Sequence, residues 1–256
     1  VEWVVDAYTT SSPVLVEVGP TGASAAHASN PTSLHDIFTR IGGGTWVGKA
    51  AVSLQINSKN VLVDHIWLWR ADHSDTPGVV GWNINTAANG LVVNGSDVNA
   101  YGSFVEHFQQ HEILWNGNNG KMFFLQNEKP YDAPSQASYM NGSSNGYPSL
   151  KVASTVTAFE GYATGTYAVF TMNACTTNAE CSTGTCGTDL FCVAPAGGMM
   201  VDRSFELPDA QAGVKMRNLV ALSLTNKGKI NNLVNSNGMA ANAADFSTYP
   251  KLAAYH

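Results

Sequence analysis

Glu106, in FVEHF (104–108), and Glu128, in LQNEKPYD (125–132), stand 22 residues apart, each within an otherwise apolar or amide-rich run of a chain that is only 12% charged. Two carboxylates held side by side repel, so one of the pair keeps its proton to higher pH. A protonated carboxyl next to an ionised one is the apparatus of glycoside hydrolysis. The competing reading is that both point to solvent, with His107 and Lys129 next to them in sequence balancing the charge. The groups around the pair suit a sugar. DHIWLWRADHS (64–74) supplies Trp67, Trp69, Asp72 and His73, the following GW supplies Trp82, and Trp115 and Tyr131 flank the glutamates. Aromatic faces and a few carboxylates grip sugar rings through apolar contact and directional hydrogen bonds. For any single tryptophan, an inward position in a core is the alternative.

For the glutamates to act together, the chain must bring them into register. SLQINSKNVLV (53–63), GLVVNGSDVNA (90–100), EILWNGNNGKM (112–122) and SLKVASTVTAF (149–159) share one shape: a short alternating strand, a polar turn, then a second strand. ALSLTNKGKIN (221–231) reads as a degenerate fifth copy. Leu91 to Ile113 is 22 residues, and the offsets Leu54 to Leu91 and Ile113 to Leu150 are both 37. A 22-residue strand–turn unit is one coil of a right-handed parallel β-helix, the longer offsets being coils with inserted loops. A β-sandwich of irregular hairpins is the other fold such short strands allow.

Under the solenoid reading the turns Asn57, Asn94 and Asn116 stack in a column, since asparagine tolerates left-handed backbone and bonds from coil to coil. Asn94 to Glu106 and Asn116 to Glu128 are each 12 residues. The glutamates then occupy one position of successive coils, on strands ~4.8 Å apart.

All four cysteines, Cys175, Cys181, Cys186 and Cys192, lie within 18 residues. CxxC pairs and nearby histidines are missing, so the spacing reads as two disulfides in a stapled insertion at 173–196, with residues 1–172 and 197–256 forming one β-helix domain. The preferred pairing, Cys175–Cys186 with Cys181–Cys192, closes two compact loops of similar size. Disulfides imply an oxidising, extracellular location, and NGS at Asn94 and Asn141 fits the glycosylation acceptor pattern. The chain opens on Val1, which reads as a processed or truncated beginning. A net charge of −6 argues against nucleic acid and anionic membranes, and no apolar run reaches membrane-spanning length.

Other motif matches fail on context. GSSNG (142–146) lies in a turn-rich stretch without a strand-to-helix elbow, and GGTWVGKA (43–50) lacks the hydroxyl residue after the lysine of a phosphate loop. His107 and His111 lack the glutamate of a zinc-binding HExxH. No metal or cofactor is expected.

The stretches NPTSLHDIFTRIGG, VLVDHIWLWRADHS, GLVVNGSDVNAYGSFVEHFQQHEILWNGNNGKMFFLQNEKPYD and VDRSFELPD resemble the second half of the family 55 glycoside hydrolases. These are exo-acting β-1,3-glucanases (laminarinases) built from two tandem right-handed β-helices with the active site between them. The resemblance implies a β-1,3-glucan substrate, Glu128 as general acid and Glu106 as a second acid holding the attacking water. It places Asp72 and Tyr131 at the terminal glucose. It also implies inversion at the anomeric carbon, whereas carboxylates ~5 Å apart suit retention; diverging side chains, or a base other than Glu106, reconcile the two. No first β-helix stands in this sequence, so it is expected either from a separate polypeptide, as a partner, or from a part of the protein outside this sequence. A non-catalytic extracellular β-helix used for glucan binding or assembly is the alternative function.

Overall fold

The structure is a computed structural model, and it describes residues 3–7, 11–170, 177–180, 185–188, 198–225, 227–242 and 251–255. Its strands, in chain order, are β1 (Trp3–Ala7), β2 (Ser11–Val18), β3 (Thr32–Ile41), β4 (Lys49–Ile56), β5 (Val61–Arg70), β6 (Ala87–Val93), β7 (Asn99–Glu106), β8 (Ile113–Trp115) and β9 (Gly120–Glu128). There follow β10 (Met140–Asn141), β11 (Ser144–Asn145), β12 (Leu150–Val152), β13 (Phe159–Ala168), β14 (Met199–Val201), β15 (Phe205–Glu206), β16 (Val214–Ser223), β17 (Gly228–Ile230), β18 (Ala241–Asn242) and β19 (Lys251–Tyr255).

Long strands alternate with short ones between two sheets, β1-β3-β5-β7-β9-β13-β16-β19 and β15-β12-β8-β6-β4-β2. Pairing is parallel throughout the second sheet and from β1 to β16 in the first; β19 closes the end antiparallel to β16. This is the coil geometry expected of a parallel β-helix. The repeat offsets are met residue by residue, since Leu54 pairs with Leu91, Leu91 with Ile113 and Ile113 with Leu150. The fifth copy is a correction. Ala221–Ser223 pair with Thr166–Ala168 in the first sheet, and the matching coil of the second sheet is completed by Phe205, which pairs with Leu150. The strand–turn–strand shape recurs at every corner of a coil, and 221–231 is the corner leading into the small sheet β14-β17-β18.

Each coil turns its apolar residues inward. Leu54, Leu91, Ile113 and Leu150 are fully buried in one row, and Val63, Ala100, Met122, Phe159 and Met216 run through the facing sheet. The asparagine column also forms. Asn116 Nδ2 donates to Asn94 Oδ1 and Asn94 Nδ2 to Asn57 Oδ1, both at 2.8 Å. Asn57 Nδ2 ends the column on Glu17 Oε1 at 2.7 Å. Asn94→Ala breaks two rungs at once, so urea unfolding should show a loss of about 1–2 kcal/mol. An unchanged urea midpoint would reduce the column to decoration.

One feature of the long strands positions everything that follows. Asp36, His65, Gly102, Phe124, Ala163 and Asn218 all have φ between 53° and 64° and fall at the same point of six successive strands, where the pairing skips a residue. A left-handed residue in mid-strand lets two consecutive side chains face outward: Phe123 is half-buried and Phe124 exposed, while Met122 and Leu125 are buried. Aspartate, asparagine, histidine and glycine take this conformation more readily, but for Phe124 and Ala163 it costs roughly 1–2 kcal/mol each. Before the bend, Tyr101, Phe123 and Tyr162 stack with ring centroids 4.9 and 5.1 Å apart. After it lies the candidate site.

The insertion at 173–196 lies largely outside the described residues, as do Cys175, Cys181 and Cys192. Cys186 carries no free thiol. β13, before the insertion, pairs directly with β16, the third strand after it.

Candidate active site

Glu106 and Glu128 are direct partners in the β7–β9 register, the last residues of their strands. They belong to a column on the outer face, Arg40–Trp69–Glu106–Glu128–Tyr167, and beside it runs Phe38–Trp67–Phe104–Gln126–Gly165. The strand alternation after the bend puts both columns outward.

Each carboxylate has its own donors. Trp67 Nε1 donates to Glu106 Oε2 at 2.7 Å, and Gln126 Nε2 to Glu128 Oε1 at 3.0 Å. The Tyr131 hydroxyl donates to Glu128 Oε2. Burial and the Glu128 carboxylate hold the Tyr131 phenol well above its ordinary range, so it remains a donor. Glu106 is only 9% exposed and Glu128 more open. Burial, then the charges of Glu128 and Asp72, push Glu106 up to about 7, against the hydrogen bonds from Trp67 and Gln126 that pull it down. The raised carboxyl is therefore found at Glu106, a correction, since the acid role led it to be expected at Glu128.

That shift has a consequence for folding. The folded chain binds a proton at Glu106 that the unfolded chain, with its carboxyl near 4.5, releases. The Glu106 contribution to stability is thus present below about 4.5 and lost as pH rises to about 7. His111, which burial lowers from 6.5 to about 4, opposes it over part of that window. The difference between wild type and Glu106→Gln isolates the carboxyl. Measured by denaturant titration, the variant should gain relative stability steadily from pH 4.5 to 7. A flat difference would show that Glu106 is not held protonated.

Asp72 follows β5 and is brought to the same end of the columns. Its Oδ1 accepts from Trp69 Nε1 at 3.3 Å, faces His73 Nδ1 at 2.9 Å and lies 3.6 Å from His107 Nε2. Trp67 and Trp69 stack at 5.3 Å, giving a shelf on the N-terminal side of the pair, and Trp67 is 39% exposed. His73 is solvent-exposed at the rim. Buried His107 donates from Nδ1 to the Lys129 carbonyl at 3.2 Å, and its ring lies 4.4 Å from that of Tyr131. Burial holds it below the ordinary histidine value, while Asp72 and Glu128 pull the other way.

Asp72, His73 and Tyr131 are thus brought to the glutamates. Trp115 is not, which is a correction: it is fully buried, donates from Nε1 to the Gly117 carbonyl at 3.1 Å and packs edge-on against Phe159. In the three-residue strand β8 the inward positions are Ile113 and Trp115, which leaves only Leu114 facing out. Trp82 is half-buried, set over the Arg70 guanidinium at 5.8 Å and against Tyr139.

Sequence reasoning missed Arg70, Gln126 and the tuning of Lys129. Arg70 is fully buried and every arm is used: Nε bonds to the Asn85 carbonyl, Nη1 to the His107 carbonyl and Asp132 Oδ1, and Nη2 to the Gly81 carbonyl and Asp132 Oδ2. It clasps the 71–86 loop to the segment that carries Tyr131. Beneath the pair, burial lowers Lys129 to about 7 and drives Glu112 well above the usual carboxylate range, so both lean to their neutral forms. Among the described residues no group of histidine, cysteine, aspartate and glutamate has the arrangement of a metal site.

Residues 2–128 match the LAM55 pectate lyase-like domain. The chain is 41% identical over 235 residues to an exo-beta-1,3-glucanase of Streptomyces sp. (strain SirexAA-E / ActE), covering 92% of this chain and 34% of that enzyme. The solved structure of sacteLam55A from Streptomyces sp. SirexAA-E is 39% identical, with a TM-score of 0.84 over 99% of this chain and 41% of that one. A glutamate-to-alanine variant of sacteLam55A in complex with glucose matches with a TM-score of 0.83 at 38% identity. The chain thus spans well under half the length of the relatives it matches. With its parallel coils and its paired glutamates, the chain carries a LAM55 pectate lyase-like domain over residues 2–128.

Proposed function

We propose that this chain is the C-terminal β-helix of an exo-acting β-1,3-glucanase and carries its general acid, Glu128. The observation that carries the reading is the register of Glu106 with Glu128 beside a tryptophan shelf, in a chain similar to a named exo-beta-1,3-glucanase. Glu128 is the more open carboxyl, as a group that must touch the glycosidic oxygen has to be. Asp72 and Tyr131 grip the terminal glucose, with Trp67 and Trp69 under its ring and His73 at the rim. Glu106 holds the attacking water. A first β-helix, on the same polypeptide or another, supplies the opposite wall of the cleft. The reaction inverts the anomeric carbon, with the base completed from that wall. Proton NMR of freshly released glucose tests this: α-anomer first supports inversion, β-anomer first overturns it.

A second assignment has its own observation. Burial raises Glu106 to about 7, against the hydrogen bonds that it accepts from Trp67 and Gln126. In that assignment Glu106 is the acid and Glu128 the base. Leaving-group dependence separates the two: only loss of the true acid is relieved by a leaving group that needs no protonation.

The protein works extracellularly, and the 173–196 insertion is stapled by Cys175–Cys186 and Cys181–Cys192. The cysteine spacing supports this, together with the absence of a free thiol at Cys186. Peptide mapping without reductant tests it; a Cys175–Cys192 link, or free thiols, would overturn the pairing.

A further inference from the structure

We propose that the hollow beside Phe124 is a glucosyl subsite receiving the departing part of the glucan chain, with Phe124 as its platform; this rests on the hydrolase reading above. The hollow, about 230 Å³, is lined by Phe124, Gln126, Ala163, Gly165, Tyr167 and Val220. Its lining reaches the neighbours of the paired glutamates. Gln126 both lines it and donates to Glu128, and Tyr167 is the register partner of Glu128 on the next strand.

The local sequence keeps this hollow open. Phe124 is 50% exposed, and in its column the neighbours are Gly102 and Ala163, which have almost no side chain to cover the ring. Phe104 tilts against it at 5.8 Å. Gly165 provides the floor beside Gln126. Phe124 also has a φ of 64°, a conformation that bulky residues avoid. Where such residues persist they cluster at ligand clamps, and an exposed phenylalanine contributes little to folding in return. Sugar rings need what this hollow offers: an aromatic surface and an amide at one edge.

The placement also gives direction. Trp69, Glu106, Glu128 and Tyr167 follow one another along the helix axis. With the terminal glucose on the Trp69–Asp72 side, the scissile bond falls at the glutamates. The rest of the chain then crosses toward Phe124.

The test uses the complete enzyme and compares β-1,3-gluco-oligosaccharides of increasing length with β-glucosyl fluoride, whose leaving group occupies no such subsite. Phe124→Ala should raise KM for the longer oligosaccharides roughly five- to tenfold, with no comparable change on the fluoride. Phe124→Trp should restore the length dependence. Phe124→Gly should show the same loss while the thermal midpoint holds or rises, because glycine takes this φ freely. Unchanged length dependence, or an equal loss on the fluoride, overturns the subsite. So does destabilisation of the alanine variant without a change in length dependence, which would make Phe124 a packing contact. If wild-type protein turns over neither substrate, it is the hydrolase reading that fails. The subsite is then judged by calorimetric titration of the oligosaccharides into wild type and Phe124→Ala: weaker binding to the variant upholds it, and equal or absent binding overturns it.

Discussion

Glu128→Gln in the complete enzyme is expected to lower laminarin hydrolysis by at least ~10²-fold, the usual scale for loss of a general acid. The substitution keeps the shape of the side chain and removes the transferable proton. Folding should be preserved, because Tyr131 can still donate to the amide oxygen and Gln126 can turn its own amide to meet the new donor. Binding should also survive, since the Trp67–Trp69 shelf and Asp72 are untouched. The leaving group decides the role. An aryl β-glucoside whose phenolate departs unaided should lose far less than laminarin does. Equal losses on both substrates would remove Glu128 from the acid role. Relief seen instead in Glu106→Gln would hand that role to Glu106, the carboxyl that burial raises to about 7.

Much of this pair was legible because a solenoid turns sequence offset into position. Once Leu91 and Ile113 are one coil apart, the 22-residue step also stacks Asn94 on Asn116 and Glu106 on Glu128, with no tertiary calculation needed. Single residues inside a coil were harder to read. Trp115 ends a strand of three residues, too short for alternation to say which way it faces, and it faces in. The false fifth copy at 221–231 failed because every corner of a coil looks like a strand, a turn and a strand. The bend was hidden for a different reason. Gly102, Asp36, His65 and Asn218 suit a left-handed conformation, but Phe124 and Ala163 do not. They are held there by pairing with neighbours that bend at the same point. Local propensity carries no trace of a conformation imposed by the adjacent coil, so the outward Phe124 could not be foreseen.

Arg70 was hidden by its chemistry, since an arginine ending an apolar strand ordinarily reaches for solvent. Here it is fully buried and its fork meets both oxygens of Asp132, at 3.0 and 2.7 Å. Arg70→Met, close in length but without charge, leaves Asp132 without its cation. It also leaves the Asn85, His107 and Gly81 carbonyls without these donors. Breaking one side of a buried pair typically costs about 3–5 kcal/mol, and urea unfolding should show a loss on that scale. Arg70→Lys should recover little, because a single ammonium cannot match a two-pronged carboxylate while reaching three carbonyls. Adding Asp132→Asn to Arg70→Met should restore part of the loss by removing the stranded charge, and the double-mutant cycle measures how much of the effect belongs to the pair. The same clasp sets the Asp72 loop against Tyr131, so the variant that still folds should show a higher KM as well as a lower kcat. A lysine variant as stable and as active as wild type would mean that the fork holds nothing the site depends on.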